Sequence, residues 1–204
     1  MKKGMNIVYR YKDNLYVNLT NRCPCNCTFC LRQDRDTVGG EADTLWLEHE
    51  PNMEEIKEAF IEADVDNCKE VVFCGYGEPT EAFDRLIETA KWLKNNYNKF
   101  IRLNTNGLGN LVNGRDIVPE MEGLIDSISI SLNTPDTEDY LKIVRPKFGE
   151  QSFKAMLDFT EECGKIIPDV TMSTVSTTIS HEQEEECRKI CESLNVKYRI
   201  RPIE

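Results

Sequence analysis

Short β-patterned runs alternate with longer helix-patterned runs along almost the whole of this chain, and that alternation restricts its fold more than any other feature. Strands separated by helices join as parallel neighbours, because a parallel pair needs a long crossover and a helix supplies it. The expected strands are residues 7–11, 15–19, 70–74, 100–105, 127–132, 170–175 and 196–201. The first two flank Lys12-Asp13-Asn14 and read as an opening hairpin. Met53, Ile56, Ala59, Phe60 and Ala63 share one helical face, as do Leu86, Ala90 and Leu93 in the next segment. Pro79 with Thr80 and Glu81 is read as the start of that second helix, since proline is tolerated in a first turn. Further helices are expected at 115–122, 137–143, 152–163 and 182–193. Cys187, Ile190, Cys191 and Leu194 have i, i+3, i+4, i+7 spacing, so both cysteines read as small apolar core residues.

Six core strands, counted from the second of the hairpin, fall short of the eight-stranded barrel and its usual size of about 250 residues. The 204 residues contain no linker, low-complexity tract or internal repeat. The expected architecture is therefore a single α/β domain over 1–204: a partial (β/α)6 TIM-like barrel, open on one side, with a short N-terminal β-hairpin extension. Ile128, Ile130 and Leu132 alternate with Ser129, Ser131 and Asn133, and Val196, Tyr198 and Ile200 alternate with Arg199 and Arg201. If the apolar sets face the helices, the lumen is lined by Ser, Asn and Arg, which is more hydrophilic than a packed core requires. Arg199 and Arg201 there would favour an anionic group on a ligand; a buried ion pair with an acidic residue is the ordinary alternative.

The 40% hydrophobic fraction suffices for a core, and 25 Lys+Arg against 36 Asp+Glu give a net charge of −11. That balance counts against generic binding of phosphate backbones, which needs clustered cations. Nothing approaches the roughly 18 consecutive apolar residues of a membrane span. Met1-Lys2-Lys3 is followed by Arg10, Lys12 and Asp13 rather than by a secretory apolar region, so a cytoplasmic location without membrane association is expected. In that compartment thiols stay reduced, which makes metal ligation a better default than disulfides for the nine cysteines. Cys23, Cys25, Cys27 and Cys30 fall within eight residues, whereas Cys68, Cys74, Cys163, Cys187 and Cys191 are scattered. Cys74 is read as packing, and His49 and His181 as surface residues.

The run Leu19-Thr20-Asn21-Arg22-Cys23-Pro24-Cys25-Asn26-Cys27-Thr28-Phe29-Cys30 begins where the first core strand ends, so the thiols lie on a loop at the carboxyl end of the sheet, where open α/β sheets bind ligands. Cys23-x3-Cys27-x2-Cys30 supplies three thiolates, which suit soft metals and iron-sulfur clusters. A [4Fe-4S] cluster on three cysteines keeps one iron open to a substrate. Structural zinc on all four cysteines is the competing reading; it would strain the loop, and no second Cys or His pair lies nearby.

Cys-x3-Cys-x2-Cys with an aromatic residue just before its last cysteine resembles the signature of the radical S-adenosylmethionine (SAM) enzymes. Cys25 is extra to that triad: an inert neighbour, a labile fourth ligand or a substitute for one of the three. Directly after the third expected strand, Cys74-Gly75-Tyr76-Gly77-Glu78-Pro79 resembles the family's Gly-Gly-Glu-Pro turn, with Tyr76 in place of the second glycine. The resemblance implies that Gly75, Tyr76, Gly77 and Glu78 hold the amino group of SAM; backbone carbonyls and Glu78 can accept from an ammonium, and glycine lets backbone approach closely. Asn104-Thr105-Asn106-Gly107 is similar to the family's Thr-Asn-Gly turn and implies SAM contacts from Asn104 or Asn106. Ser131-Leu132-Asn133 is similar to the ribose-binding position, Arg145 to an arginine that some members aim at the SAM carboxylate, and Val175 to an adenine contact. The run 18–27 resembles most the small TatD-associated radical SAM proteins.

What the resemblance implies is an enzyme, oxidoreductase or activase-like, with a [4Fe-4S] cluster on Cys23, Cys27 and Cys30 and with SAM as cofactors. Reduced flavodoxin or ferredoxin would be the electron donor. SAM would be cleaved to methionine and a 5′-deoxyadenosyl radical that takes hydrogen from a substrate, either a protein or peptide completing the open side of the barrel or a small metabolite. The reading from another class is a non-catalytic zinc or iron-sulfur scaffold or sensor. Nucleic-acid modification would need a partner to supply the binding surface.

Overall fold

The computed structural model describes residues 4–34 and 44–202. Strands β1 (Val8–Tyr11) and β2 (Asn14–Val17) form the hairpin, with Lys12 at φ 55° in its turn. A short helix α1 (Leu31–Asp34) and helix α2 (Met53–Glu62) follow. The chain then repeats strand and helix: β3 (Glu70–Phe73), α3 (Phe83–Tyr97), β4 (Phe100–Thr105), α4 (Gly109–Asn113), β5 (Ser127–Ser131), α5 (Thr137–Val144), α6 (Gln151–Ile166), β6 (Asp169–Val175), α7 (His181–Ser193) and β7 (Lys197–Arg201). The sheet has seven strands in chain order, with β1 antiparallel to β2 and β2 to β7 all parallel. This is the expected open, partial TIM-like barrel with its hairpin extension.

Local chemistry sets the helix starts. Asn52 and Glu55 form a reciprocal capping box on α2, Ser180 and Gln183 form one on α7, and the Asp136 side chain caps α5. The strands' apolar face packs on the helices: Leu15, Val71, Phe73, Ile101, Leu103, Ile128, Ile130 and Met172 are fully buried there. Each such side chain contributes about 1.5–3 kcal/mol of burial. The register puts Tyr16, Val72, Arg102, Ser127 and Asp169 on the opposite face, together with Asn104, Ser129, Ser131, Ser173, Arg199 and Arg201. The lumen is hydrophilic above Val72, as the alternation predicts. Cys187 and Cys191 are core residues, and His49 and His181 are exposed.

Two expectations are corrected. The helix at 115–122 is one 3-10 turn, Val118–Met121, because Pro119 brings no N–H and Gly123 at φ 70° ends it after four residues; α4 stands just before it. Pro79 opens a 3-10 turn (Pro79–Ala82) rather than α3 itself, which starts at Phe83.

Candidate active site

Past Val17 the chain crosses the carboxyl edge of the sheet through side chains that tie it down. Asn18 Nδ2 donates to Leu45 O at 2.7 Å, and Asn21 both donates to Leu47 O at 2.8 Å and accepts from Leu47 N at 3.0 Å. Thr20 Oγ1 donates to Glu50, which also pairs with Arg22 at 2.6 Å, while a second Arg22 nitrogen lies 3.4 Å from Glu81. Glu50 holds the Arg22 guanidinium above its ordinary pKa through that hydrogen bond. Sequence reasoning missed this anchoring set; the only signal was a run of Asn, Thr and Arg directly after a strand, where a tight loop needs local acceptors.

The four cysteines come next, and their backbone is held from α5. Asn26 N donates to Val144 O at 3.1 Å, Thr28 N to Ile143 O at 2.9 Å, and Cys25 makes a β-bridge with Pro146. Cys25 is buried, and its thiol interacts with those of Cys23 and Cys27 on either side of it. That mutual interaction draws the Cys23 and Cys27 thiols down and pushes Cys25 up; burial pushes Cys30 up. Asn106 Nδ2 lies 3.6 Å from Cys25 Sγ and 3.9 Å from Cys23 Sγ, so the third strand-end turn touches the thiols. Among the described residues, no three His, Cys, Asp or Glu side chains are grouped to hold a single metal ion. The donor set is soft sulfur on one loop at the ligand-binding edge, which fits an iron-sulfur cluster.

The glycine turn lies against this loop. A Cβ on Gly75 would meet Asn18 Oδ1 at 2.1 Å, and one on Gly77 would meet Thr20 O at 2.0 Å, so both positions require glycine for close approach. Glu78 N donates to Arg22 O at 2.8 Å, joining turn and loop. Tyr76 is buried edge-on to Trp46. The Glu78 carboxylate, 4% exposed, is already fully engaged: Oε1 accepts from Thr80 N (3.1 Å), Thr80 Oγ1 (2.9 Å) and Thr105 Oγ1 (2.7 Å), and Oε2 from Asn106 N (2.7 Å). Burial raises its pKa while these donors pull it down. Its visible work is to fix the β3 turn to the β4 turn.

The remaining expected residues fall along the same edge, apart from Arg145. Asn104 is half-buried on the lumen face with Oδ1 unpartnered among the described residues. Ser131 is half-buried; Asn133 is buried at φ 68°, its Oδ1 likewise unpartnered. Val175 is buried on the lumen side of β6, outside the helix-packed core. Arg145 caps α5 at φ 50°, is exposed, and donates from Nε to Lys142 O at 3.3 Å, with its backbone oxygen facing Asn26. Cys74 lies on the lumen side rather than in the helix layer, half-buried beside Asn104, and burial pushes its thiol up.

Solved structures share the fold. Streptococcus suis SuiB bound to its precursor peptide SuiA matches with TM-score 0.71 at 15% identity, over 97% of this chain and 40% of that one. Methylornithine synthase (PylB) matches with TM-score 0.67 at 17% identity, over 94% and 53%. A radical SAM methyltransferase from Sphaerobacter thermophilus matches with TM-score 0.57 at 16% identity, over 96% and 68%. The chain thus spans less than half of SuiB. The sequence profile of the Radical SAM superfamily matches residues 17–194, which include the cysteine loop, the glycine turn and strands β3 to β6, together with Val17 of β2 but not β7. With that coverage the chain belongs to the Radical SAM superfamily, an enzyme family whose cofactors are a [4Fe-4S] cluster and SAM.

Proposed function

We propose that the chain is a radical SAM enzyme in which Cys23, Cys27 and Cys30 hold the cluster and the adjoining strand ends hold SAM. The observation that carries this is the joining of the thiol loop to the glycine turn and to Asn106, on one edge of a polar lumen. When bound and reduced by one electron, cluster and SAM supply a 5′-deoxyadenosyl radical able to take hydrogen from a substrate. The protein's part is to bind, orient and exclude water.

Cys25, buried between Cys23 and Cys27 on the same loop, is outside the proposed ligand triad and packs against it. Gly75, Tyr76 and Gly77 offer backbone carbonyls to the SAM amino group, and Glu78 positions that turn. Asn104, Asn106, Ser131 and Asn133 supply polar contacts, Val175 an apolar one, and Arg145 reaches the SAM carboxylate by a change of rotamer. A peptide or a small metabolite enters from the open side; the former is supported by a neighbour solved with its precursor peptide. Reduced flavodoxin or ferredoxin is the proposed donor, and the run 18–27 supports kinship with the TatD-associated group. Residues 1–204 act as one domain in the cytoplasm; no described helix is long and apolar enough to cross a membrane.

The test is anaerobic reconstitution with iron and sulfide, followed by SAM and dithionite. Formation of 5′-deoxyadenosine with a SAM-perturbed [4Fe-4S]⁺ electron paramagnetic resonance signal supports the reading, and Cys27→Ala should abolish both. Zinc uptake with intact SAM would establish the scaffold instead.

A further inference from the structure

The lumen-facing strand positions carry charge only at Glu70, Arg102, Asp169, Lys197, Arg199 and Arg201, four cations against two carboxylates in a chain of net charge −11. Lys197 pairs with Asp169 at 2.8 Å and Arg102 with Glu70 at 3.0 Å. Arg199 meets no partner among the described residues. Arg201 Nε donates to Ser173 Oγ at 3.0 Å, so its side chain turns back from the rim toward the lumen. Arg102 is held on only one side: its Nε is buried with no hydrogen bond among the described residues. Two positions further along the same face, Asn104 Oδ1 is buried and equally unmet. Cys74, half-buried, lies beside them: burial pushes its thiol up, while Asn104 at its sulfur and the charges of Arg201 and Arg102 act the other way.

An unmet guanidinium donor and an unmet amide acceptor on one wall of a chamber call for a ligand that can both accept and donate. We propose that this chamber binds a carboxylate of the substrate that carries a neighbouring N–H or O–H, as a hydroxy acid, an amino acid or a peptide terminus does. Arg102 and Arg201 supply the positive field, Arg102 Nε the donor and Asn104 Oδ1 the acceptor. Arg102 stands four residues below Asn106, roughly 13 Å along the strand at 3.3 Å per residue, so the carboxylate lies deeper than Asn106, with Asn104 between the two: its Oδ1 serves the substrate and its other amide atom remains for SAM. A carboxylate is preferred to a simple anion because its plane matches the guanidinium fork and its substituent reaches Asn104. This rests on the reading of the lumen as the substrate chamber, but its test does not require radical chemistry.

Cys74 is a built-in reporter. Its thiolate displaces iodide from iodoacetate or from neutral iodoacetamide, forming a C–S bond as the C–I bond breaks; iodide leaves and the thiol proton goes to water. The two reagents differ chiefly in the carboxylate. Labelling of Cys74 in the cluster-loaded protein is followed by peptide mass spectrometry, with glutathione as the reference thiol. The iodoacetate-to-iodoacetamide rate ratio at Cys74 is expected to exceed that of glutathione by about tenfold, and labelling by iodoacetate to saturate, as attraction to one or two nearby cations would produce. Arg102→Gln should bring the ratio down at least about fivefold. Arg201→Gln, which leaves the Glu70 pair intact, should do the same if the first variant is poorly folded. A wild-type ratio equal to that of glutathione, a ratio unchanged in both variants, or no labelling by either reagent would overturn the proposal. Loss of 5′-deoxyadenosine formation with the ratio intact would count against the radical reading alone.

Discussion

The cysteine loop and the glycine turn meet at one edge of the sheet but are held in opposite ways. The turn is held chiefly by close contacts: Gly75 closed against the Asn18 side chain, Gly77 against the backbone of Thr20 and Arg22, and a buried carboxylate that takes four hydrogen bonds from Thr80, Thr105 and Asn106. The loop borrows its fixings from the carbonyls at the end of α5 and from the side chains of Asn21, Arg22 and Asn106. The difference teaches that the turn is a finished platform, whereas the loop reaches its final stiffness when its thiolates are engaged by the cluster.

The largest effect should come from breaking the platform. Glu78→Ala leaves at least two buried backbone N–H groups, of Thr80 and Asn106, without an acceptor, and should lower stability by roughly 4 kcal/mol in anaerobic urea unfolding of the loaded protein. Glu78→Gln retains most of the acceptor capacity and should cost about half as much; a cost near zero for both would erase the contrast. Next, stripping the cluster by anaerobic chelation should speed amide exchange at residues 23–30 by about tenfold or more while leaving residues 75–80 nearly unchanged. Equal loosening of both segments would show that they form one unit. The smallest effect is expected from Cys25→Ala, about 1 kcal/mol in stability with the iron content retained. Loss of iron in that variant would make Cys25 a ligand instead of a packed neighbour.

Much of this architecture could be read before the fold was seen, because its signals are local. The two-residue alternation of Ile128, Ile130 and Leu132 with Ser129, Ser131 and Asn133 reports both faces of β5 from six consecutive residues. Cysteine spacing and the glycine turn are equally short-range. What escaped depends on distant partners. Glu78 reads as a free acceptor until Thr105 and Asn106, 27 and 28 residues on, are seen to consume it. Which face Cys74 occupies shows only in the register of β3 with β4. The 115–122 segment looks helical by composition, yet Pro119 and Gly123 limit it to one turn.

The chain-order sheet has a kinetic side. Each strand pairs with the one before it, so every new strand finds its partner already made, and the barrel can grow by accretion from the hairpin. The cysteine loop does not share this advantage. Asn106 follows Cys23 by 83 residues, and the α5 carbonyls that hold Asn26 and Thr28 come later still. During synthesis the thiols therefore emerge long before their supports, and a cluster delivered early meets an unformed site. On the proposed ligand assignment, loading would follow the docking of α5.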